Sequence, residues 1–266
     1  AYRPARIAIV GDIIAELVAL WALIKESSDK VIQGYKERWL RLQEEGHTAY
    51  YDIRDQFNTH KDPLDLLFLT RTCVNGLVRF NSDGEFNNSL HHTRPGISPD
   101  RLRRIVHLWH HVLRGVSFQA CDYRETLSTV RKGDVVFLDP PYASTRGRYR
   151  PDVFDLGAFY HELERLTNVG AFWMLTFDGQ SGERVYESDV PKDLYQHKFQ
   201  IPTGNAPFTK LMENSVDAVL ESVYLNFEPA AEALTKFRNF REDDGGLRLV
   251  SNMQKSFAAV AQKLES

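Results

Sequence analysis

Cysteine is scarce in this chain: Cys73 and Cys121 are the only two in 266 residues. A pair cannot build a disulfide framework or a zinc cage, so a reducing compartment and two small core thiols are expected. Long apolar runs are missing as well. No window approaches the roughly 18 to 20 uninterrupted apolar residues of a membrane span. The opening AYRPARIAIV lacks the charged, apolar and small-residue order of a signal peptide. A soluble protein is the expectation. No charge of one sign dominates, since 33 Lys and Arg face 36 Asp and Glu for a formal net charge of -3. That balance argues against simple coating of nucleic acid but leaves room for a local basic face. Repeats and low-complexity tracts are absent, and the composition excludes collagen, coiled coil and extended disorder. At this length one large domain, or one domain with an insertion, is expected.

The apolar residues that are present alternate between two periods. RIAIVG (6–11) is a continuous apolar run ended by Gly11 and Asp12, which predicts a strand buried on both faces. Ile14, Leu17, Val18, Leu20, Trp21 and Ile24 then recur at helical spacing, and KVIQGYKERWLRLQEEG predicts a second helix closed by Gly46. A third helix opens at Pro63. LVRFNSDGEFNNSL (77–90) has apolar residues on both sides of an Asp-Gly pair, a hairpin signal. SPDRLRRIVHLWHHVLRG (98–115) predicts a helix with Ser98 as N-cap, Pro99 at the first turn and Gly115 as its stop. Arg94, Arg101, Arg103, Arg104 and Arg114 make this the basic part of the chain.

Strands are expected again at 116–122, 134–138, 171–178 and 217–227, with a helix at 154–166. Such alternation predicts an α/β fold, a Rossmann-like doubly wound sheet whose ligands gather at the carboxyl ends of the strands. Asp12, Asp122, Asp139 and Asp178 all fall at those ends. The histidines His91, His92, His107, His110 and His111 lack an accompanying Cys or acid at zinc-finger spacing, so phosphate or solvent contact is expected of them rather than a metal.

Asp139-Pro140-Pro141-Tyr142 is the sharpest chemical signal. Two consecutive prolines cannot donate to a ladder, so the strand ends there and the Pro140 carbonyl is free to accept. A carboxylate, a free carbonyl and an aromatic ring at one strand tip suit an exocyclic amino group on a planar ring. Asp139 and the Pro140 carbonyl take its two N–H bonds, which localises the nitrogen lone pair, while Tyr142 stacks on the ring. A type I turn after a strand is the plainer reading of Asp-Pro.

With LTRTCVNGLVRFNSDGEFN and FQACDYRETL ahead of it and MLTFDG and ESVYLNF behind it, this tetrapeptide resembles the motif series of the Dam-type (D12 class) N6-adenine DNA methyltransferases, across most of residues 6–227. The resemblance implies site-specific transfer of a methyl group from S-adenosylmethionine to adenine N6 in double-stranded DNA, with the base flipped into the Asp139, Pro140 and Tyr142 pocket. It assigns Asp12 to the cofactor ribose, Asp122 and Tyr123 to the cofactor adenine, and Asp139 to a place between cofactor and target base. For Asp12 and Asp122 a helix N-cap is the alternative role. The family's hairpin enters DNA, so Arg79, Asn81, Asn87 and Asn88 become base-reading candidates and Arg94 a further DNA contact. Asn81 and Gly84 also suit a turn. Arg146, Arg148 and Arg150, in the loop after the motif, become phosphate clamps, with a solvated loop as the alternative.

On this resemblance residues 1–62 and 116–227 form the catalytic domain, 63–115 the target-recognition insertion, and 228–266 a helical extension. It also implies a cytoplasmic protein of prokaryotic or phage origin, and leaves room for a cognate restriction endonuclease acting at the same site. A non-catalytic DNA-binding relative and an N4-cytosine methyltransferase are the rival functions. The family's strand and glycine-rich loop before the Asp12 strand have no counterpart here, from which we expect that the domain begins upstream of Ala1. Ile13, Ile14 and Ala15 stand where the family has a polar residue and a proline.

Overall fold

A computed structural model describes residues 7–91, 93, 96–141, 154–181, 184–186, 190–205 and 218–229. Tyr142, Arg94, Arg146, Arg148, Arg150, His92 and the extension from residue 230 lie outside the described residues. The chain divides between Ser128 and Thr129 into two compact units.

The first unit opens with β1 (Ala8–Asp12) and continues through four helices, α1 (Ala15–Glu26), α2 (Ser28–Glu45), α3 (His47–His60) and α4 (Pro63–Thr72). Gly46 adopts a positive φ of 66° between α2 and α3, where any side chain would be strained. The Asp62 carboxylate caps α4 by accepting from Leu64 N–H at 2.8 Å, with Pro63 in the first turn. A non-strand segment then leads to α5 (Pro99–Val112), β2 (Val116–Ala120) and the single-turn helix α6 (Tyr123–Leu127). The helices bury one apolar core, in which Tyr35, Tyr50, Phe57, Phe68 and Phe86 are fully enclosed. At about 25 cal/mol per Å² and 150–250 Å² per ring, aromatic burial of this kind dominates the packing energy.

β1 and β2 pair in parallel, with Asp12 opposite Ala120. The expectation of a strand buried on both faces is corrected here: Ile9 is 39% and Val10 44% exposed. Among the described residues β1 has β2 as its single sheet neighbour, so one edge and much of its surface stay open.

The second unit holds β3 (Val135–Leu138), α7 (Leu156–Val169), β4 (Phe172–Ser181), β5 (Arg184–Tyr186), β6 (His197–Asn205) and β7 (Ala218–Leu225). The sheet order is β3-β4-β7-β6, with β5 paired to β4. β3 and β4 run parallel, whereas β4, β7 and β6 are antiparallel neighbours. Sequence alternation finds the parallel pair but does not anticipate β5 or β6. α7 covers β4 with the fully buried Phe159, Leu163 and Leu166. Asn226 ties the end of β7 back to β4: its side-chain oxygen accepts Trp173 N–H at 2.7 Å, and its amide donates to the Ala171 carbonyl at 3.0 Å. The fold is thus mixed α/β, the class that the alternation of strands and helices predicts. No helix among the described residues is long and apolar enough to cross a membrane.

Candidate active site and nucleic-acid face

Asp139 follows the last residue of β3 and is exposed at the strand tip. Its carboxylate accepts a 2.8 Å hydrogen bond from the hydroxyl of Thr176, a buried residue of the neighbouring strand β4. Protein around the carboxyl pushes its pKa above the usual carboxylate range, and the Thr176 hydroxyl pulls it partly back. Thr176 stands where the pairing of β4 with β7 shifts register, between Thr176 and Gly179. Such irregularities re-aim side chains at strand ends. β3 stops because Pro140 and Pro141 bring no N–H to a ladder. The tip therefore carries the Asp139 carboxylate bonded by Thr176, while Tyr142 falls outside the described residues.

In the first unit the ends of β1 and β2 bring two more acids together. Asp12 is half-buried, and its carboxylate accepts Ile14 N–H at 2.7 Å. Burial raises its pKa, opposed by the backbone amides of Ile14 and Ile13. The Asp12 carbonyl accepts Cys121 N–H at 3.1 Å, so Asp122 begins one residue beyond a direct link to Asp12. Asp122 caps α6 by accepting Arg124 N–H at 2.9 Å, and also receives the Arg124 guanidinium at 2.8 and 3.1 Å. That guanidinium bond is the main reason its carboxyl is held below the usual range. The N-cap role open to Asp122 in the sequence is therefore filled. Tyr123 is half-buried, with the Arg124 guanidinium 5.8 Å from its ring centre. Two carboxylates and a ring at adjacent strand ends match the chemistry of a nucleoside, whose ribose hydroxyls and amino group are donors and whose base stacks.

The segment between α4 and α5 departs from a regular hairpin. Its strands reduce to two isolated bridges, Phe80–Phe86 and Cys73–Leu90, around a turn in which Gly84 takes a φ of 77°. Side chains of α3, of Lys61 just after it and of the loop itself replace the missing ladder. Asn58 bonds both the N–H and the carbonyl of Phe86, at 2.7 and 3.1 Å, and Tyr50 O–H donates to the Asn88 carbonyl at 2.9 Å. Lys61 reaches the Gly84 carbonyl at 3.2 Å.

These bonds sort the sequence candidates. Asn81 uses its oxygen for the N–H groups of Asp83 and Glu85, and Asn88 uses its amide for the carbonyls of Val74 and Leu77. Both hold the loop in shape. Arg79 is exposed and has no ion-pair or hydrogen-bond partner for its side chain among the described residues. Asn87 has a buried side-chain oxygen without a partner, and so does the Arg54 Nε–H. The two line the same groove of about 420 Å³, together with Asn58, Asn81, Glu85 and Phe86. An unpaired buried polar atom costs about 1–3 kcal/mol, so this open donor and acceptor are placed to take a water or a polar group entering the groove. Sequence reasoning did not single out Arg54, because it sits on a helix whose existence the apolar pattern of α3 did not announce. Of the histidines, His110 places a ring nitrogen 3.1 Å from the Ile24 carbonyl, and His91 accepts Thr93 N–H at 3.2 Å.

Comparison with known proteins adds an independent finding. The family described as D12 class N6 adenine-specific DNA methyltransferase matches residues 4–209. A DNA adenine methylase of Salmonella typhi is 30% identical over 141 residues, covering 51% of this chain and 49% of that protein. One from Haemophilus influenzae is 31% identical over 140 residues, covering 51% and 48%. The Type II methyltransferase M.MjaIII of Methanocaldococcus jannaschii is 31% identical over 147 residues, covering 50% of each. The aligned stretch thus spans about half the length of the curated relatives it matches.

Proposed function

The chain belongs to the D12 class of N6 adenine-specific DNA methyltransferases, and from that membership we propose that it transfers a methyl group from S-adenosylmethionine to adenine N6 at a short sequence in double-stranded DNA. The observation that carries the reading is the accessible Asp139 carboxylate at the proline-terminated tip of β3, held by Thr176. The carboxylate and the Pro140 carbonyl accept the two N–H bonds of the target amino group. The nitrogen lone pair is then withdrawn from the ring and aimed outward. When bound, S-adenosylmethionine supplies an activated methyl group, so the protein has chiefly to align nitrogen, carbon and sulfur. Asp12 accepts from the ribose hydroxyls, Tyr123 stacks on the cofactor adenine and Asp122 faces its amino group. Tyr142 recovers part of the cost of extruding the base, a few kcal/mol.

Arg79, Arg54 and Asn87 form the DNA-facing part of the loop region, with Asn81 and Asn88 shaping it. Arg94, Arg146, Arg148 and Arg150 add phosphate contacts. The Type II name carried by M.MjaIII supports a further reading, in which a restriction endonuclease shares the recognition site.

The test is transfer of a labelled methyl group from S-adenosylmethionine to duplex DNA, with digestion to nucleosides. N6-methyldeoxyadenosine is the expected product; N4-methyldeoxycytidine, or no labelled base, would overturn the proposal.

One prediction follows from the Thr176 bond. Asp139 accepts N–H groups in its ionised form, so transfer is lost as pH falls through its raised pKa. Thr176→Val removes the interaction that lowers that pKa, and the acid limb of the rate profile should move to higher pH. The loss should shrink as pH rises and more of the carboxylate is ionised. An acid limb that stays in place or moves down would show that another group titrates.

A further inference from the structure

We propose that Gly11 and Thr126 form a spacing contact that sets how far Asp12 stands from Asp122 and Tyr123, and thereby the affinity for S-adenosylmethionine. The inference rests on the cofactor roles assigned above and concerns Gly11 and Thr126, to which the motif resemblance assigns no role.

Gly11 precedes Asp12 on β1 and does not adopt a positive φ, so backbone freedom is not what the position requires. Space is. A Cβ at residue 11 would overlap the Thr126 hydroxyl and stand 3.2 Å from the Thr126 Cβ and 3.4 Å from its Cγ2. α6 thus lies directly on the β1 backbone at this residue. Thr126 is itself held, because its hydroxyl is 3.3 Å from the Cys121 sulfur. Cys121 in turn donates its N–H to the Asp12 carbonyl at 3.1 Å. Gly11, Asp12, Cys121 and Thr126 therefore close a small ring of contacts around the two strand ends.

The lever is short. Thr126 follows Asp122 by four residues, one turn of the helix that Asp122 caps. A helix of one turn has no length over which to bend, so pushing Thr126 off β1 carries Asp122 and Tyr123 with it. A side chain at residue 11 has to open this spacing, and a misplacement of about 1 Å in a positioned site can cost about 100-fold. Thr126 is the feeler and Gly11 the stop.

The experiment compares the intact protein with Gly11→Ala, Thr126→Ala and the double variant. Affinity for S-adenosylmethionine is read by titration calorimetry, and hydrogen exchange of the Cys121 amide reports the local contact without cofactor. Gly11→Ala should weaken cofactor binding at least about tenfold and accelerate Cys121 exchange. Thr126→Ala alone should change binding less than about threefold. The double variant should regain most of the lost affinity and protection, because the clashing hydroxyl and methyl are gone. A Gly11→Ala protein with unchanged affinity and exchange, or a double variant no better than Gly11→Ala, overturns the proposal. If Gly11→Ala does not fold, restored folding and cofactor affinity in the double variant uphold the contact, and failure of the double variant overturns it. If the unmodified protein takes up no S-adenosylmethionine, the functional reading and the cofactor role of the contact both fall, while Cys121 exchange still decides whether Gly11 and Thr126 set the spacing.

Discussion

Asp139→Ala is expected to lower methyl transfer at least about 100- to 1,000-fold while DNA binding and folding stay intact. The magnitude is that of losing one preorganised polar partner of a reacting centre. Without the carboxylate, one N–H of the target amino group faces no acceptor and the lone pair returns to the ring. The fold should tolerate the change, because Asp139 is exposed and, among the described residues, its side chain makes a single hydrogen bond, from Thr176. Asp139→Asn separates charge from shape: it keeps one acceptor oxygen but can turn an N–H toward the amino group. It should therefore retain more activity than the alanine variant and less than the parent. Single-turnover methylation, with DNA affinity measured in parallel, gives both readouts. Alanine activity within a few-fold of the parent would remove Asp139 from the site.

The β3 tip was legible in the sequence because two adjacent prolines are local and unambiguous: they end a strand whatever surrounds them. The same locality made Gly46, Pro63 and Gly115 reliable punctuation. What escaped was whatever tertiary contact decides. α3 carries Tyr50, Ile53 and Phe57 toward the core, yet its apolar stripe is broken by Tyr51 and Asn58 and does not stand out from the flanking loops. The loop at 77–90 showed a strong hairpin pattern, but Asn58, Tyr50 and Lys61 take over backbone groups that a ladder would use. A pattern of alternating residues reports which face is buried, not which partner accepts the hydrogen bonds. β1 misled for a related reason. Its apolar run matches a strand flanked on both sides, whereas its described partner is β2 alone. Asn81 suited either a base or a turn in the sequence, and the bracing role of Asn88 was not foreseen, since an asparagine that reads a base and one that braces a loop have the same one-letter code.

Breaking the Arg38–Asp65 pair should be the most destabilising single change in the helical unit, by about 3–5 kcal/mol. Arg38 on α2 donates to the Asp65 carboxylate of α4 at 2.6 Å and to Asp62 at 3.3 Å, and also holds the Gly34 carbonyl at 3.0 Å. Asp65 is only 4% exposed. Burial is the largest influence on its carboxyl and raises the pKa despite Arg38. The folded state therefore prefers the protonated form more than the unfolded chain does, and stability is lost as pH rises from the unfolded to the folded pKa. Arg38→Met removes the guanidinium bonded to the Asp65 carboxylate, pushing its pKa higher and widening that window. The variant should be least stable at neutral pH and recover part of the loss in mild acid. Arg38→Met combined with Asp65→Leu removes both charges and should restore most of the stability, because an apolar pair of similar volume commonly equals a buried ion pair. Chemical denaturation of the single and double variants at pH 5 and pH 7.5 measures all of this. Should Arg38→Met cost less than about 1 kcal/mol, or the double variant be no more stable than the single, the pair does not hold α2 to α4.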